Sequence, residues 1–487
     1  MNAPHLAGLA LALAALVACG GDDECSIAAI QAELDDANAG STVTFPANCR
    51  VEGSLVVPAG VRLEGASGAE LAVTATSALG VELGAGAELA ELAIEARGRA
   101  AVVARGDATL SAVAVDLRHG IGLYLTGGNH TLSDVTLTGP VTAANAADAT
   151  WVNVVAEPDP DTGCTSATLC ACEPGSIVSE TEVCDETGRV VTWAPTIGIY
   201  ARDATLGFDG VMVAGLARYG VVADGTELTW NGGGVRDVVG VGILFRGGRS
   251  TLTDVAVSGA VSGLRGVPSY GILATEGHAQ TTTRTTVEAG ERFGLVSLDG
   301  QGTHTDLTVQ GNGDVGLWIG GSDAFDVRGA STVAANGVAG VAVLDSTGVT
   351  LDGLAVTGTV AVTRPVGSFG SQTIGDGIQL VGANEAVLRG VTLSGNERVG
   401  LLVDVVPGLT FEAVEVSATG DAFGALGGAA DLATGDIVVG AAAWDTGITR
   451  RDAALVNDPT ATGGFDALVV AEPAGVDAVV GIVGPMY

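Results

Sequence analysis

A glycine followed by an aliphatic-x-aliphatic segment recurs along most of this chain, and this repeat constrains the fold more than any other feature. The intervals between successive repeat glycines are 22, 22, 29, 23, 22, 24, 37 and 23 residues. These glycines are Gly198, Gly220, Gly242, Gly271, Gly294, Gly316, Gly340, Gly377 and Gly400. A period near 23 residues with two longer intervals indicates stacked structural repeats that carry insertions.

Each period contains a second segment with the pattern Leu-x-x-Val-x-Val-x-Gly. Copies begin at Leu132, Leu252, Leu351 and Leu388. Alternation with a period of two is typical of strands that bury one face. A leucine-rich repeat would need a helical return, and a propeller blade needs about 40 residues or more. The sequence therefore predicts an all-β parallel β-helix, a three-strand solenoid whose coils hydrogen-bond along the axis.

Asparagines mark one turn of the repeat. Asn312, Asn336 and Asn396 each lie four residues before the glycine of their coil. Asn tolerates the left-handed backbone conformation, and stacked Asn amides form a ladder along a solenoid. We expect both features at these three positions.

The opening of the chain has the order short helix, strand, then coils. Ile27–Leu34 has a helical pattern, Gly40–Pro46 a strand pattern, and the segment Leu55–Gly65 begins the repeat. In these features and in its Asn turns, the stretch 25–420 resembles the pectin-lyase-like β-helix superfamily. The resemblance implies a right-handed parallel β-helix whose short N-terminal helix caps the open end of the core.

The first residues predict export and lipid anchoring. Leu6–Ala18 is apolar but too short to span a bilayer, which is typical of a signal peptide. Leu16-Val17-Ala18-Cys19-Gly20 resembles a bacterial lipobox, which implies that residues 1–18 are removed and Cys19 is acylated. We therefore expect a membrane partner and an outer-membrane lipoprotein in the cell envelope, facing either the periplasm or the cell surface. We expect a linker and cap at 19–65, the β-helix at 66–417 and a C-terminal cap at 418–487.

Six cysteines remain after Cys19, an even number that suits disulfides in an oxidising compartment. Cys25 and Cys49 bracket the start of the fold, and we expect them to pair. The other four lie in an insertion at 157–196, where two cysteines are too close in sequence to pair with each other. Each of Cys170 and Cys172 therefore bonds Cys164 or Cys184. The insertion lacks histidine and a C-x₂-C pair, so we expect no zinc or other metal there.

The charge excludes one class of partner. The chain has 21 cationic side chains, all arginine, and 56 acidic ones, which gives a formal net charge of -35. Nucleic acid binding needs a cationic face, so we expect no nucleic acid partner.

One outward position of the repeat strand predicts an apolar stripe across successive coils. The stripe consists of Tyr200, Val222, Leu244, Leu273, Val296, Trp318, Ala342, Gln379 and Leu402. Soluble proteins seldom expose large apolar patches. Either the insertions, above all 157–196, cover the stripe, or it is an interaction surface.

Charged and aromatic residues flank the stripe. Aromatic rings stack on sugar faces, while arginines and carboxylates hydrogen-bond to hydroxyls. The candidate ligand-binding residues are Tyr200, Arg218, Tyr219, Arg246, Tyr270, Arg292 and Trp318. The alternative is an ordinary solvated turn edge.

No catalytic motif is complete. The resemblance implies calcium and an Arg or Lys base for a lyase, or clustered aspartates for a hydrolase, and neither set is recognisable. We interpret Gly375-Asp376-Gly377 as a turn. Glu276 and Asp299, one coil apart, are candidate catalytic carboxylates about 5 Å apart. The sequence thus favours a non-catalytic envelope protein, structural or polysaccharide-binding, without a cofactor. The alternative is a polysaccharide lyase, hydrolase or epimerase, for which calcium is the possible cofactor.

Overall fold

The computed structural model describes most of the coil-forming part of the chain. The described residues are 25–75, 78–118, 120–139, 196–216, 218–262, 268–365, 371–404 and 408–417, with short strands at 177–179, 182–184, 190–192, 437–439 and 455–457. They form a right-handed parallel β-helix of about 13 coils with one helix. The predicted fold class is confirmed.

Each coil contributes one strand to a continuous parallel sheet, here called sheet one, which the short strands Ile437–Val439 and Leu455–Asn457 extend. Its strands are Leu55–Val57, Leu79–Leu83, Ala100–Ala104, Ile121–Thr126, Ile197–Arg202, Tyr219–Asp224, Val241–Arg246, Tyr270–Thr275, Phe293–Leu298, Leu317–Gly320, Val338–Leu344, Ser371–Val381, Leu401–Asp404, Ile437–Val439 and Leu455–Asn457. One further strand, Val362–Pro365, pairs antiparallel with Ser371–Val381 and forms a hairpin in the longest interval of the repeat.

The other two legs of each coil form sheet two, which has 26 strands. The first leg comprises Thr42–Phe45, Arg62–Gly65, Ala87–Ala90, Ala108–Ser111, Asn129–Ser133, Thr205–Ala214, Glu227–Arg236, Arg249–Thr253, Ala279–Thr283, Gln301–Thr305, Asp323–Arg328, Thr347–Asp352, Val387–Arg389 and Thr410–Glu412. The second leg comprises Arg50–Glu52, Glu70–Val73, Ala93–Ala96, Ala114–Leu117, Thr136–Thr138, Ala256–Ser258, Thr286–Glu288, Thr308–Gln310, Thr332–Ala334, Ala355–Thr357, Thr392–Ser394 and Glu415–Ser417. Thr205–Ala214 and Glu227–Arg236 run through both legs and so join them into one sheet.

Stacking of identical positions explains both the core and the repeat glycine. Ile199 lies in register with Val221, which lies in register with Ile243, and all three are fully buried. At Gly198 and Gly220, a Cβ would collide with the carbonyl oxygen of the repeat glycine in the next coil. The glycine therefore recurs because the neighbouring backbone is too close for any side chain.

A helix closes the N-terminal end, as predicted. It spans Ile27–Asp36, and the Ser26 hydroxyl accepts a hydrogen bond from the Ala29 N–H at 3.1 Å. Its Ile30 and Leu34 are buried against the first coil. The predicted Cys25–Cys49 disulfide is present, with a Cα–Cα distance of 5.6 Å.

The first coil starts inside the segment expected to hold only the linker and cap. Thr42–Phe45 already pairs in parallel with Arg62–Gly65. None of the helical structure in the described part of the chain reaches the length and hydropathy needed to cross a bilayer.

The asparagine ladder is present, but its backbone differs from the expectation. The Asn336 Oδ1 accepts from both the backbone N–H and the side-chain amide of Asn312, at 3.0 and 2.9 Å. The left-handed residues are those immediately before the asparagines, namely Gly311, Ala335 and Gly395. Because the turn bends at the preceding residue, the Asn side chain points along the axis and bonds to the neighbouring coil.

The cysteine-bearing insertion is only partly described. Three short strands in it, Ile177–Ser179, Glu182–Cys184 and Val190–Thr192, form an antiparallel sheet. The expected pairings of Cys164, Cys170, Cys172 and Cys184 lie outside the described side chains. Cys19 and the signal segment also lie outside the described residues.

Candidate functional site

Three rows of side chains point outward from sheet one. In the strand Ile197–Arg202, Ile199 and Ala201 enter the core of the coil, while Ile197, Tyr200 and Arg202 face out. Parallel register repeats this pattern from coil to coil. The first row includes Ile197, Tyr219, Val241, Tyr270 and Phe293, the second is the predicted stripe, and the third includes Arg202, Asp224, Arg246 and Thr275.

The predicted apolar stripe is buried. Tyr200 is 6% exposed, Trp318 is 1% exposed and Gln379 is fully buried. Together with the first row, the stripe forms a second hydrophobic cluster, separate from the core inside the coil. Of the two expectations, the covered stripe therefore agrees with the structure. The segment expected to cover it, 157–196, has no described side chains over most of its length.

Most of the predicted sugar-stacking rings pack within this second cluster. Tyr219, Tyr270 and Trp318 are each at most 3% exposed. The Tyr270 ring stacks on Phe293 at 5.3 Å, and Phe293 meets Trp318 edge-on at 6.3 Å. In this structure these ring faces therefore contact protein.

The two arginines that precede this row lie over its rings. The Arg218 guanidinium is 5.7 Å from the centre of the Tyr219 ring, and Arg292 is 5.5 Å from that of Phe293. Arg292 also pairs with the carboxylate of Asp314, which is buried.

Tyr124 was not among the sequence-based candidates. Its ring stacks on Tyr200 at 5.5 Å with an interplanar angle of 5°, and it is half-buried. Gly122-Leu123-Tyr124 matches Gly198-Ile199-Tyr200. The match was missed because the long insertion between them breaks the interval of the repeat.

Beside this stack lies an ionic network in the third row. Arg246 stands between two carboxylates: its Nη1 is 3.6 Å from Asp224 Oδ2, and its Nη2 is 3.0 Å from Glu276 Oε1. Arg202, half-exposed, has its Nε 3.3 Å from the Asp203 carboxylate. Tyr124, Tyr200, Arg202, Asp224 and Arg246, here called the corner cluster, thus combine rings, cations and acids at one corner of the coil.

Burial changes the acidity of two groups in the corner cluster. It raises the pKa of the Asp224 carboxyl above its usual range, against the opposing charges of Arg246 and Arg202. It also raises the pKa of the Tyr200 hydroxyl, with a further contribution from the charge of Asp224. Tyr200 therefore stays protonated and available as a hydrogen-bond donor at neutral pH.

An open polar depression of about 460 Å³ adjoins the corner cluster. Asn129, Asp203, Thr205 and Glu227 line it, together with turn glycines. Amide, hydroxyl and carboxylate groups at an open surface suit hydrogen bonding to hydroxyl groups.

Glu276 and Asp299 follow in register from one coil to the next, as predicted, but their carboxylates point away from each other. Glu276 bonds to Arg246 of the preceding coil. Asp299 has a left-handed backbone, with φ of 53°, and its Oδ1 lies over Gly321 of the following coil. The same Asp-over-Gly arrangement recurs at Asp203–Gly225, Asp306–Gly329 and Asp345–Gly382. The structure therefore does not bring these two carboxylates together.

Asp376 lies within a strand, so its interpretation as a turn residue was wrong. It pairs in register with Ala339. The Arg398 Nε donates to Asp376 Oδ1 at 2.6 Å, and the Gln379 amide donates to Oδ2 at 2.7 Å. Asp376 and Arg398 are at most 1% exposed. The position of Asp376 between Gly375 and Gly377 gave no signal of a buried ion pair.

The described histidines are all inside the coil. His130, His278 and His304 are at most 1% exposed. His119 lies outside the described residues. No group of three or more metal-binding side chains occurs among the described residues.

No protein-family model matches this chain, and no curated protein sequence is similar to it. A variant of the periplasmic alginate epimerase AlgG is 8% identical, with a TM-score of 0.42 over 81% of this chain and 83% of that chain. The A-module of the Azotobacter vinelandii mannuronan C-5 epimerase AlgE4 is 14% identical, with a TM-score of 0.37 over 80% and 91%. Bacteriophage CBA120 tailspike protein 3 is 10% identical, with a TM-score of 0.32 over 83% and 58%. All three are parallel β-helix proteins, and the likeness is one of fold.

Proposed function

We propose that this chain is a lipid-anchored cell-envelope protein whose corner cluster binds polysaccharide without cleaving it. The observation that carries the proposal is the stack of the half-buried Tyr124 ring on the buried Tyr200 ring, beside Arg202, Asp224 and Arg246. A rigid ring pair next to fixed donors and acceptors is suited to a pyranose, which has an apolar face and a hydroxyl rim.

The charges of the site favour a glycan rich in hydroxyl groups. Arg246 is shared between Asp224 and Glu276, and Arg202 is paired with Asp203. Since carboxylates match the guanidinium groups here, an anionic polymer gains little net attraction. The polar depression extends the contact surface beyond the ring pair.

The acid–base candidates support binding over catalysis. Glu276 and Asp299 face different coils, and the described histidines lie inside the core. Glycoside hydrolysis uses two carboxyl groups that flank one glycosidic bond. We assign no cofactor to this site.

A second candidate function rests on Asp224. A carboxyl whose pKa is raised by burial, beside a tyrosine and an arginine, is the kind of group that serves as a general acid. This observation favours a polysaccharide lyase, hydrolase or epimerase, in which calcium would be the possible cofactor.

The anchor is proposed from the sequence alone. The Leu16–Gly20 lipobox places the acyl group on Cys19 and the folded coil in the envelope, on either face of the outer membrane. A multiply acylated cysteine holds a protein stably at a bilayer.

The experiment is a glycan array with the mature chain, followed by calorimetry on each hit. We expect binding to hydroxyl-rich polysaccharide, lost at least tenfold in Tyr124→Ala and Arg202→Ala. Arg284→Ala is the matched control because Arg284 forms an exposed pair with Asp254, and both lie in the turn between the two legs of sheet two. Chain cleavage, unsaturated products or inversion of a sugar centre, abolished by Asp224→Asn, would replace the binding function with the enzymatic one. Absence of binding across the array would contradict both.

A further inference from the structure

One coil in the middle of the solenoid has a polar interior. Its strand Ala279–Thr283 directs Gln280 and Thr282 inward, and Thr285 follows in the next turn. All three are at most 3% exposed. In register with Gln280 lie Leu228, Ser250, Gly302 and Phe325, and in register with Thr282 lie Trp230, Leu252, His304 and Val327. The polar residues are therefore confined to about three coils, with apolar core on both sides.

Two histidines link these coils through hydrogen bonds. The His278 Nε2 lies 2.8 Å from Ser250 Oγ, and its Nδ1 lies 2.5 Å from the carbonyl oxygen of Gly247. The His304 Nδ1 lies 2.9 Å from Thr282 Oγ1. Three of the four ring nitrogens of these histidines are therefore within hydrogen-bonding distance of protein atoms.

Four other polar atoms in the same place have no hydrogen-bond partner among the described residues. They are the Gln280 Oε1 and Nε2, the Thr285 Oγ1 and the His304 Nε2. A buried polar group without a partner costs more free energy than a typical hydrogen bond contributes. Four such atoms in neighbouring coils would be a heavy cost, and buried polar atoms in proteins are almost always satisfied by protein or by water.

We infer that the coil encloses ordered water, bonded to Gln280, Thr285 and His304. Enclosed water bridges otherwise unsatisfied groups, with two to four bonds to each molecule. Gly302 contributes no side chain next to Gln280, and the His304 imidazole and the Phe325 ring lie over it.

The chemistry of the lining favours a neutral occupant over an ion. The polar interior of these coils consists of amide, hydroxyl and imidazole groups. The buried charged residues among the described part of the chain, Asp314, Asp376 and Arg398, belong to later coils. An enclosed ion would therefore lack a counter-charge, which is costly inside a protein.

The direct test is a high-resolution crystal structure of the folded mature chain. We expect at least one ordered water within hydrogen-bonding distance of both Gln280 and His304. A dry interior, in which the Gln280 amide bonds directly to His304 or Thr285, would overturn the inference.

A variant tests the same point in solution. Gln280→Leu keeps the approximate size of the side chain but removes the amide groups that hydrogen-bond to the enclosed water, so we expect a Tm several degrees lower. Thr281→Val, on the exposed face of the same strand, is the matched control and should leave the Tm unchanged. If Gln280→Leu leaves the Tm unchanged or raises it, Gln280 has no enclosed partner and the inference fails.

Discussion

The side-chain amide of Gln31 pairs with the main chain of Val56 as a neighbouring strand would. The Gln31 Nε2 donates to the Val56 carbonyl oxygen at 3.0 Å, and the Val56 N–H donates to Gln31 Oε1 at 2.9 Å. Val56 belongs to Leu55–Val57, the first strand of sheet one, whose outer edge would otherwise be open. An open edge is a template for pairing with another chain. The capping helix thus protects the edge with one side chain as well as covering the core.

Gln31→Leu removes both of these hydrogen bonds. We expect it to lower the free energy of unfolding by about 2 kcal/mol, at about 1 kcal/mol for each bond, and to increase self-association. Glu33→Ala, at an exposed position of the same helix, is the control and should change neither. Denaturant unfolding and light scattering measure the two effects; equal behaviour of the two variants would show that Gln31 does not protect the edge.

The asparagine ladder predicts that the free energy of unfolding depends strongly on the side-chain amide of Asn336. Asn336 accepts two hydrogen bonds from Asn312 and donates one to the Val309 carbonyl at 3.1 Å. We expect Asn336→Leu to cost about 3 kcal/mol, because buried donors lose their acceptor. Asn336→Thr should cost less, since Thr359 occupies the same place in the next coil. The measurement is the free energy of unfolding in urea. An equal loss in Asn336→Leu and Asn336→Thr would contradict the ladder.

The buried histidines predict loss of stability in mild acid. Burial lowers the pKa of His278 to about 4 and that of His304 to about 3, from 6.5. A histidine that binds its proton more weakly in the folded chain makes its full contribution to the stability of the fold above pH 6.5. This contribution is lost as the pH falls from 6.5 towards 4. At about 1.4 kcal/mol per pKa unit, His278 contributes on the order of 3 kcal/mol.

The measurement is Tm against pH between 7 and 4, in steps of about half a unit. His278→Gln should flatten the curve, because one proton fewer is taken up on unfolding. A curve of unchanged slope in that variant would show that His278 is already protonated in the folded coil.

The lipid anchor makes its own prediction. Cys19→Ser should abolish incorporation of a labelled fatty acid and release the protein from the membrane fraction. Gly20→Ala, at the neighbouring position, should retain both. Membrane association that survives Cys19→Ser without acylation would contradict the proposed anchor.

The sequence determined the backbone more completely than the side chains. Repeat glycines such as Gly198 report the close approach of neighbouring coils, so the strands and their register were predictable. The direction of a side chain depends on neighbours from other coils, and Glu276 and Asp299 therefore diverge although their backbones are adjacent. The sequence also left open whether outward residues such as Trp318 are covered, because an outward position does not show what packs on the side chain. Tyr124 shares the motif of Tyr200, and only the intervening insertion concealed it.

Hydrogen exchange with and without a bound polysaccharide is the most direct test of whether the corner cluster binds the ligand. We predict slower exchange on ligand binding in the strands that carry the corner cluster, namely Ile121–Thr126, Ile197–Arg202, Tyr219–Asp224 and Val241–Arg246. The effect should disappear in Tyr124→Ala. Protection confined to sheet two, or present equally in Tyr124→Ala, would contradict binding at the corner cluster.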